Sequence, residues 1–199
     1  MRLRIRYAFA LLLTLAAVSA FNAGAQTTTA PEKPARAELA LDYSFVRSNA
    51  PPGGCTCINL NGGGANLAWP VAHSLAVVGD IDVTHAGSIG SSAYSLTLST
   101  FTAGARYMPH LGHSRVQPFG QALAGVAHSS GTLVESPNPA SANAGAAFAA
   151  ILGGGLDLKT SRRFSLRLIE ADYLVTTFDN AANNHQNNLR IGAGVAIRF

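Results

Sequence analysis

The sequence predicts an all-β fold: an eight-stranded antiparallel transmembrane β-barrel with a packed polar interior, preceded by a signal peptide. Three observations carry this reading. First, residues 189–199 alternate strictly. Leu189, Ile191, Ala193, Val195, Ile197 and Phe199 fall on one face, and Arg190, Gly192, Gly194, Ala196 and Arg198 on the other. Period-two alternation makes a strand with one apolar face, and about 9–11 residues suffice for a tilted strand to cross a bilayer. Second, Arg2, Arg4 and Arg6 precede an apolar run from Ala8 to Ala20, followed by Ala23-Gly24-Ala25. A charged region, a short apolar stretch and small residues before a cut make a secretory leader; the run is too short to span a membrane as a helix. Third, charged residues make up only 12% of the chain, against about 25% in soluble domains. Contact with lipid around a whole circumference demands such a composition, whereas a soluble sandwich would carry more surface charge.

The leader also accounts for the basic balance. The chain has 14 Lys plus Arg against 10 Asp plus Glu. Removing residues 1–25 takes away three Arg and no acid, leaving 11 against 10. The mature chain is therefore near neutral, and nothing in it points to nucleic acid. The residue directly after the expected cut is Gln26, not Cys, so a lipoprotein anchor is not expected. Residues 26–36, polar and holding Pro31 and Pro34, read as a flexible lead-in. Residues 37–199 form the barrel.

Eight strands can be placed in order. The first, about Ala37 to Arg47, sets Leu39, Leu41, Tyr43 and Phe45 against Glu38, Ala40, Asp42 and Ser44. Ser48 to Gly63, rich in Pro, Gly and Asn, reads as a long loop. A second strand runs about Gly64 to Trp69, with Ala65, Leu67 and Trp69 on one side, and ends in a turn over Pro70 to Ser74. A third, Leu75 to His85, puts Leu75, Val77, Ile81 and Val83 opposite Asp80, Asp82 and Thr84. In the fourth, Tyr94, Leu96 and Leu98 have the opposite parity from Phe101, Ala103, Ala105 and Tyr107; a bulge near Ser99-Thr100 would reconcile them. The fifth, Val116 to His128, alternates too poorly for its faces to be assigned.

After a long loop, Ser129 to Gly145, the sixth strand covers Phe148 to Leu158 and opposes Leu152 and Leu156 to Gly153, Gly155 and Asp157. The seventh, Phe164 to Phe178, carries Arg167, Glu170 and Asp172. Arg167 and Glu170 differ in parity, so a bulge around Ile169 is expected if both point inward. The eighth closes the chain. With both ends in the periplasm, connections after strands 1, 3, 5 and 7 face outward.

Eight strands leave an interior just wide enough for side chains. The expected inward set includes Asp42, Asp80, Asp82, Arg106, Asp157, Arg167, Glu170, Asp172, Arg190 and Arg198. Buried charges persist only when paired, so the reading is a salt-bridge network in which Arg106, Arg167 and Arg190 offset the acids. Clustered carboxylates can instead serve as acid/base groups or a cation site.

The stretches Arg106-Tyr107, Arg115-Val116-Gln117-Pro118-Phe119, Gly153-Gly154-Gly155-Leu156-Asp157, Arg167 with Ile169-Glu170-Ala171-Asp172-Tyr173, and Asn187-Asn188-Leu189-Arg190 resemble small bacterial outer-membrane barrels of the opacity-protein and OmpA type. The closing aromatic, Phe199, is similar to the sorting signal of such barrels. The resemblance covers 37–199 and implies a single-chain, eight-stranded barrel in the Gram-negative outer membrane. Its expected partners are outer-membrane lipids including lipopolysaccharide and the assembly machinery that reads the last strand. A monomer is expected, with no peptidoglycan-binding domain, and with a structural or surface-binding role rather than catalysis.

Two other readings have named residues. His128-Ser129-Ser130 places His and Ser on one strand face. This is similar to outer-membrane lipid A deacylases, where His would act as base and Ser as nucleophile with an acid, here Glu135, as orienter. A small passive pore is the weaker alternative. Cys55-Thr56-Cys57 reads as a disulfide or loop clip in an oxidising compartment, and His110 with His113 as solvent-facing turn residues. No catalytic, metal or cofactor residue is assigned, and no cofactor is expected.

Overall fold

A computed structural model describes residues 36–48, 57–89, 94–109, 111, 114–132, 145–178 and 184–199. The expected leader, Cys55, His110, His113 and Glu135 lie outside these residues. The strands are β1 (Glu38–Ser48), β2 (Ile58–Ala72), β3 (Leu75–Ile89), β4 (Tyr94–Tyr107), β5 (Val116–Ser130), β6 (Gly145–Lys159), β7 (Phe164–Thr176) and β8 (Gln186–Arg198). Each pairs antiparallel with the next, and β8 closes on β1.

Hydrogen-bond register fixes the barrel's shape. Starting at Glu38, successive partners are Ala68, Val78, Gly104, Leu123, Ile151, Leu174, Asn188 and then Ser48. The circuit returns to β1 ten residues further on, 48 minus 38. With about 3.3 Å per residue and about 4.8 Å between strands, that shear tilts the strands by about 40°.

The burial pattern is that of a soluble protein turned inside out. Exposed side chains include Leu41, Leu67, Val77, Ile81, Phe101, Val126, Tyr173 and Ile191, while Leu152 is 67% exposed. Arg106, Arg167 and Arg190 are buried. An apolar outer belt around a polar lumen is the arrangement that lipid requires. Trp69, Tyr107, Phe164 and Phe199 stand exposed at the end carrying the β2–β3, β4–β5 and β6–β7 turns, as an interfacial aromatic girdle does.

The lumen has two layers. Toward the end reached by the β1–β2, β3–β4, β5–β6 and β7–β8 connections, it is filled by Val46, Leu60, Leu98, Ala127, Ala149 and Leu174. Toward the short-turn end it is ionic. This explains why the bulge expected near Ser99-Thr100 is absent. β4 pairs without interruption from Thr97 to Tyr107, and Leu98 is buried in the apolar layer. The change of hydropathy along β4 is a change of lumen layer, not of face.

The bulge expected near Ile169 is present. Pairing steps from Asp157↔Arg167 to Leu156↔Ile169, and from Arg167↔Gly194 to Glu170↔Gly192. Leu168 and Ile169 both face out, so Arg167 and Glu170 both enter the lumen. Strand β2 begins at Ile58, well inside the predicted loop, because its Gly-rich start has a packing role. A Cβ at Gly62 would run into the Val83 carbonyl, and one at Gly64 would meet the Asp82 carboxylate at 2.8 Å. Glycine within a strand marks such close approach.

Candidate functional site

The charged lumen is built by side chains from all eight strands around two guanidinium groups. Arg167, carried inward by the β7 bulge, donates from Nε to Asp157 Oδ1 at 3.0 Å and from Nη1 to Glu170 Oε2 at 2.8 Å and Asp42 Oδ2 at 3.2 Å. Its Nη2 lies 3.7 Å from Glu38 Oε1. Arg190 donates from Nη2 to Asp172 Oδ2 at 2.6 Å and Glu170 Oε1 at 3.2 Å, and from Nη1 to Asp80 Oδ1 at 2.9 Å. Glu170 therefore bridges the two arginines. Each arginine answers several acids, which is how six inward carboxylates (Glu38, Asp42, Asp80, Asp157, Glu170, Asp172) share two cations; Asp82 is buried beside them without an ion pair among the described residues.

Arg106 does not take the ion-pairing role expected of it. Its Nη2 donates to Gln121 Oε1 at 2.7 Å and to Asn66 Oδ1 at 3.2 Å, and its Nε donates to the same Gln121 oxygen at 3.1 Å. The amides relay it to the acids: Gln121 Nε2 donates to Glu170 Oε1 at 3.0 Å and Asp172 Oδ1 at 3.1 Å, and Asn66 Nδ2 to Asp42 Oδ2 at 2.9 Å. The Phe119 ring meets two cations, its centre 4.4 Å from Arg106 Cζ and 4.7 Å from Arg167 Cζ. Two guanidinium groups near one another repel; the π-system of Phe119 offers each an attraction that offsets part of that repulsion. Gly155 leaves room for the ring, since a Cβ there would meet Phe119 Cζ at 2.8 Å.

All ten charged residues expected inside are inside; Arg198, at the mouth, donates to Glu38 Oε2 at 2.7 Å. Glu38, Asn66, Phe119 and Gln121 were not anticipated as network members. The signal for the last two was hidden because the outer face of β5 is nearly featureless: Gly120, Ala122 and Ala124. The structure assigns those faces, with Gln117, Phe119, Gln121, Leu123, Ala127 and Ser129 inward.

Between Asp42, Ser44, Asp80, Asp82, Glu170 and Arg190 lies a cavity of about 10 Å³. Such a space is the size of one water molecule. Ser44 Oγ and Asp42 Oδ1 are buried there with no hydrogen-bond partner among the described residues. Among those residues no three His, Cys, Asp or Glu side chains are grouped as metal ligands would be.

On the outside of β5, His128 and Ser130 share the exposed face near the loop end. Their strand partners on β4 are Ser99 and Thr97, and Thr97 Oγ1 lies 2.9 Å from His85 Nδ1. Among the described residues no hydrogen bond joins His128 to Ser130, and no carboxylate faces them. Cys57 is exposed just before β2.

No family model and no curated protein matches the chain. Solved structures do. Neisserial surface protein A aligns over 82% of this chain and 97% of its own, with 14% identity and a TM-score of 0.62. The attachment invasion locus protein Ail of Yersinia pestis, solved with the heparin analogue sucrose octasulfate, aligns over 84% and 100%, with 16% identity and a TM-score of 0.57. This chain has the fold of the small outer-membrane barrels. The outer membrane protein OprG from Pseudomonas aeruginosa aligns over 84% and 97%, with 11% identity and a TM-score of 0.55. At such identities only the fold is common ground; the lumen network is described from this chain's own residues.

Proposed function

We propose that this protein is an outer-membrane barrel with a structural or surface-binding role, reached after leader cleavage near Ala25, and that it neither conducts nor catalyses. The filled lumen carries this reading. Arg106 and Arg167 are each 1% exposed, the gap between Asp42, Asp82 and Arg190 is water-sized, and an apolar cluster packs toward the loop end. Buried side chains held by shared ion pairs support a barrel without a solute path. The surfaces left for recognition are the outer loops and the outer face, and Ail's complex with a sulfated sugar is an example of this fold meeting a polyanion. Purified protein added to planar bilayers is expected to give no stepwise conductance while showing heat-modifiable migration. Discrete ion-conducting steps would refute the plugged lumen and restore the pore.

A lipid hydrolase is the second reading, favoured by one observation: His128 and Ser130 both face outward, exposed, at the loop end of β5. A His–Ser pair at that level would sit where acylated headgroups lie. On the structural reading, cells expressing the wild type and Ser130→Ala give the same lipid A acylation profile. A deacylated species made by the wild type alone would establish the enzyme.

A further inference from the structure

At the short-turn end, cations gather along one side of the rim. Backbone hydrogen bonds tie the strand ends there: Lys159 N to Arg115 O at 2.8 Å, Arg198 N to Arg163 O at 2.7 Å, and Phe199 N to Ala37 O at 3.0 Å. The arc from β5 through β6, β7 and β8 to β1 thus brings Arg115, Lys159, Arg162, Arg163 and Arg36 alongside one another. The four arginines are exposed, and none makes an ion pair among the described residues. The described acids of the barrel all point into the lumen. The one nearest this arc, Glu38, is engaged by Arg198 at 2.7 Å. Lys159 is half-buried and donates from Nζ to Gln117 Oε1 at 2.8 Å, so the exposed charges of this arc are the four arginines. Directly beside the arc stand the exposed rings of Phe164 and Phe199, and beyond them begins the apolar belt.

We propose that this arc binds the phosphate headgroups of anionic phospholipids in the leaflet at the turn end. The inference rests on the membrane-barrel reading. A cationic rim joined to an apolar belt fits a molecule with a phosphate at one end and acyl chains at the other. A soluble polyanion would use the arginines but not the belt below them. Basic side chains at a bilayer surface attract acidic lipid, and the attraction is screened by salt.

The test uses the whole protein refolded into phosphatidylcholine vesicles containing spin-labelled phosphatidylglycerol or spin-labelled phosphatidylcholine. The protein-associated fraction of each label is read by electron spin resonance. The wild type is expected to favour phosphatidylglycerol by about fivefold or more, the gain that one well-placed cation supplies at low salt. The preference should fall toward one in the triple variant R115Q/R162Q/R163Q and at about 0.5 M salt, and should persist in Arg47→Gln, at the opposite rim. Equal association of the two lipids with the wild type, or a preference that survives the triple substitution or vanishes with Arg47→Gln, overturns the proposal. Heat-modifiable migration separates these outcomes from failure of the barrel. Should the triple variant not refold, Arg162→Glu, a single change in the β6–β7 turn, must still lower the preference.

Discussion

Arg167→Met is expected to destabilise the barrel by about 3–5 kcal/mol, the cost of leaving buried charges without their partner. Arg167 is the cation shared by Asp157, Glu170 and Asp42, with Glu38 at the edge of its reach. Methionine fills much of the same volume but answers none of these acids. Arg106→Met is the informative comparison. It removes hydrogen bonds to Gln121 and Asn66 and a stacked contact with Phe119, but strands no directly paired carboxylate. Its cost should be smaller, about 1–3 kcal/mol. Urea unfolding in detergent micelles, followed by the heat-modifiable band, ranks the two. Equal costs, or a more stable Arg167→Met, would mean that the lumen is held by packing rather than by ion sharing.

Leu152→Arg tests the outside in the same way. Leu152 lies mid-strand on β6, opposite Ala122 and Tyr173, and is 67% exposed. In a water-soluble protein, arginine at so open a position would change stability little. Facing lipid near mid-bilayer, it is expected to cost about 2–4 kcal/mol, against about 0–1 kcal/mol for Ala146→Arg near the loop end of the same strand. The contrast, measured by reversible unfolding in lipid vesicles, reports depth. Identical small effects at both positions would remove the membrane-spanning interpretation.

Much of this architecture is legible along the chain because a barrel strand exposes each residue to one of two solvents. Where lipid and lumen differ sharply, as from Leu189 to Phe199 or Leu75 to Thr84, alternation identifies both the strand and its faces. The β7 bulge is legible for the same reason: Arg167 and Glu170 cannot both face inward in a regular strand, and neither tolerates lipid. Alternation fails where the two environments match. The upper lumen is apolar, so Leu96 and Leu98 imitate a face reversal. The outer positions next to them on β5 are Gly120, Ala122 and Ala124, so Phe119 and Gln121 carry no contrast. The Gly-rich start of β2 imitates a loop because its small residues make room for a neighbouring carbonyl and for Asp82.

By itself, then, the order of residues determined the fold class, the approximate strands and which charges turn inward, since these follow from a period of two and the cost of charge in lipid. Which acid meets which arginine, the indirect role of Arg106 through Gln121 and Asn66, and the Phe119 stack were decided only in three dimensions. Partners such as Asp42 and Arg167 are 125 residues apart, and closure with a ten-residue shear, which no local pattern encodes, sets the heights at which they meet.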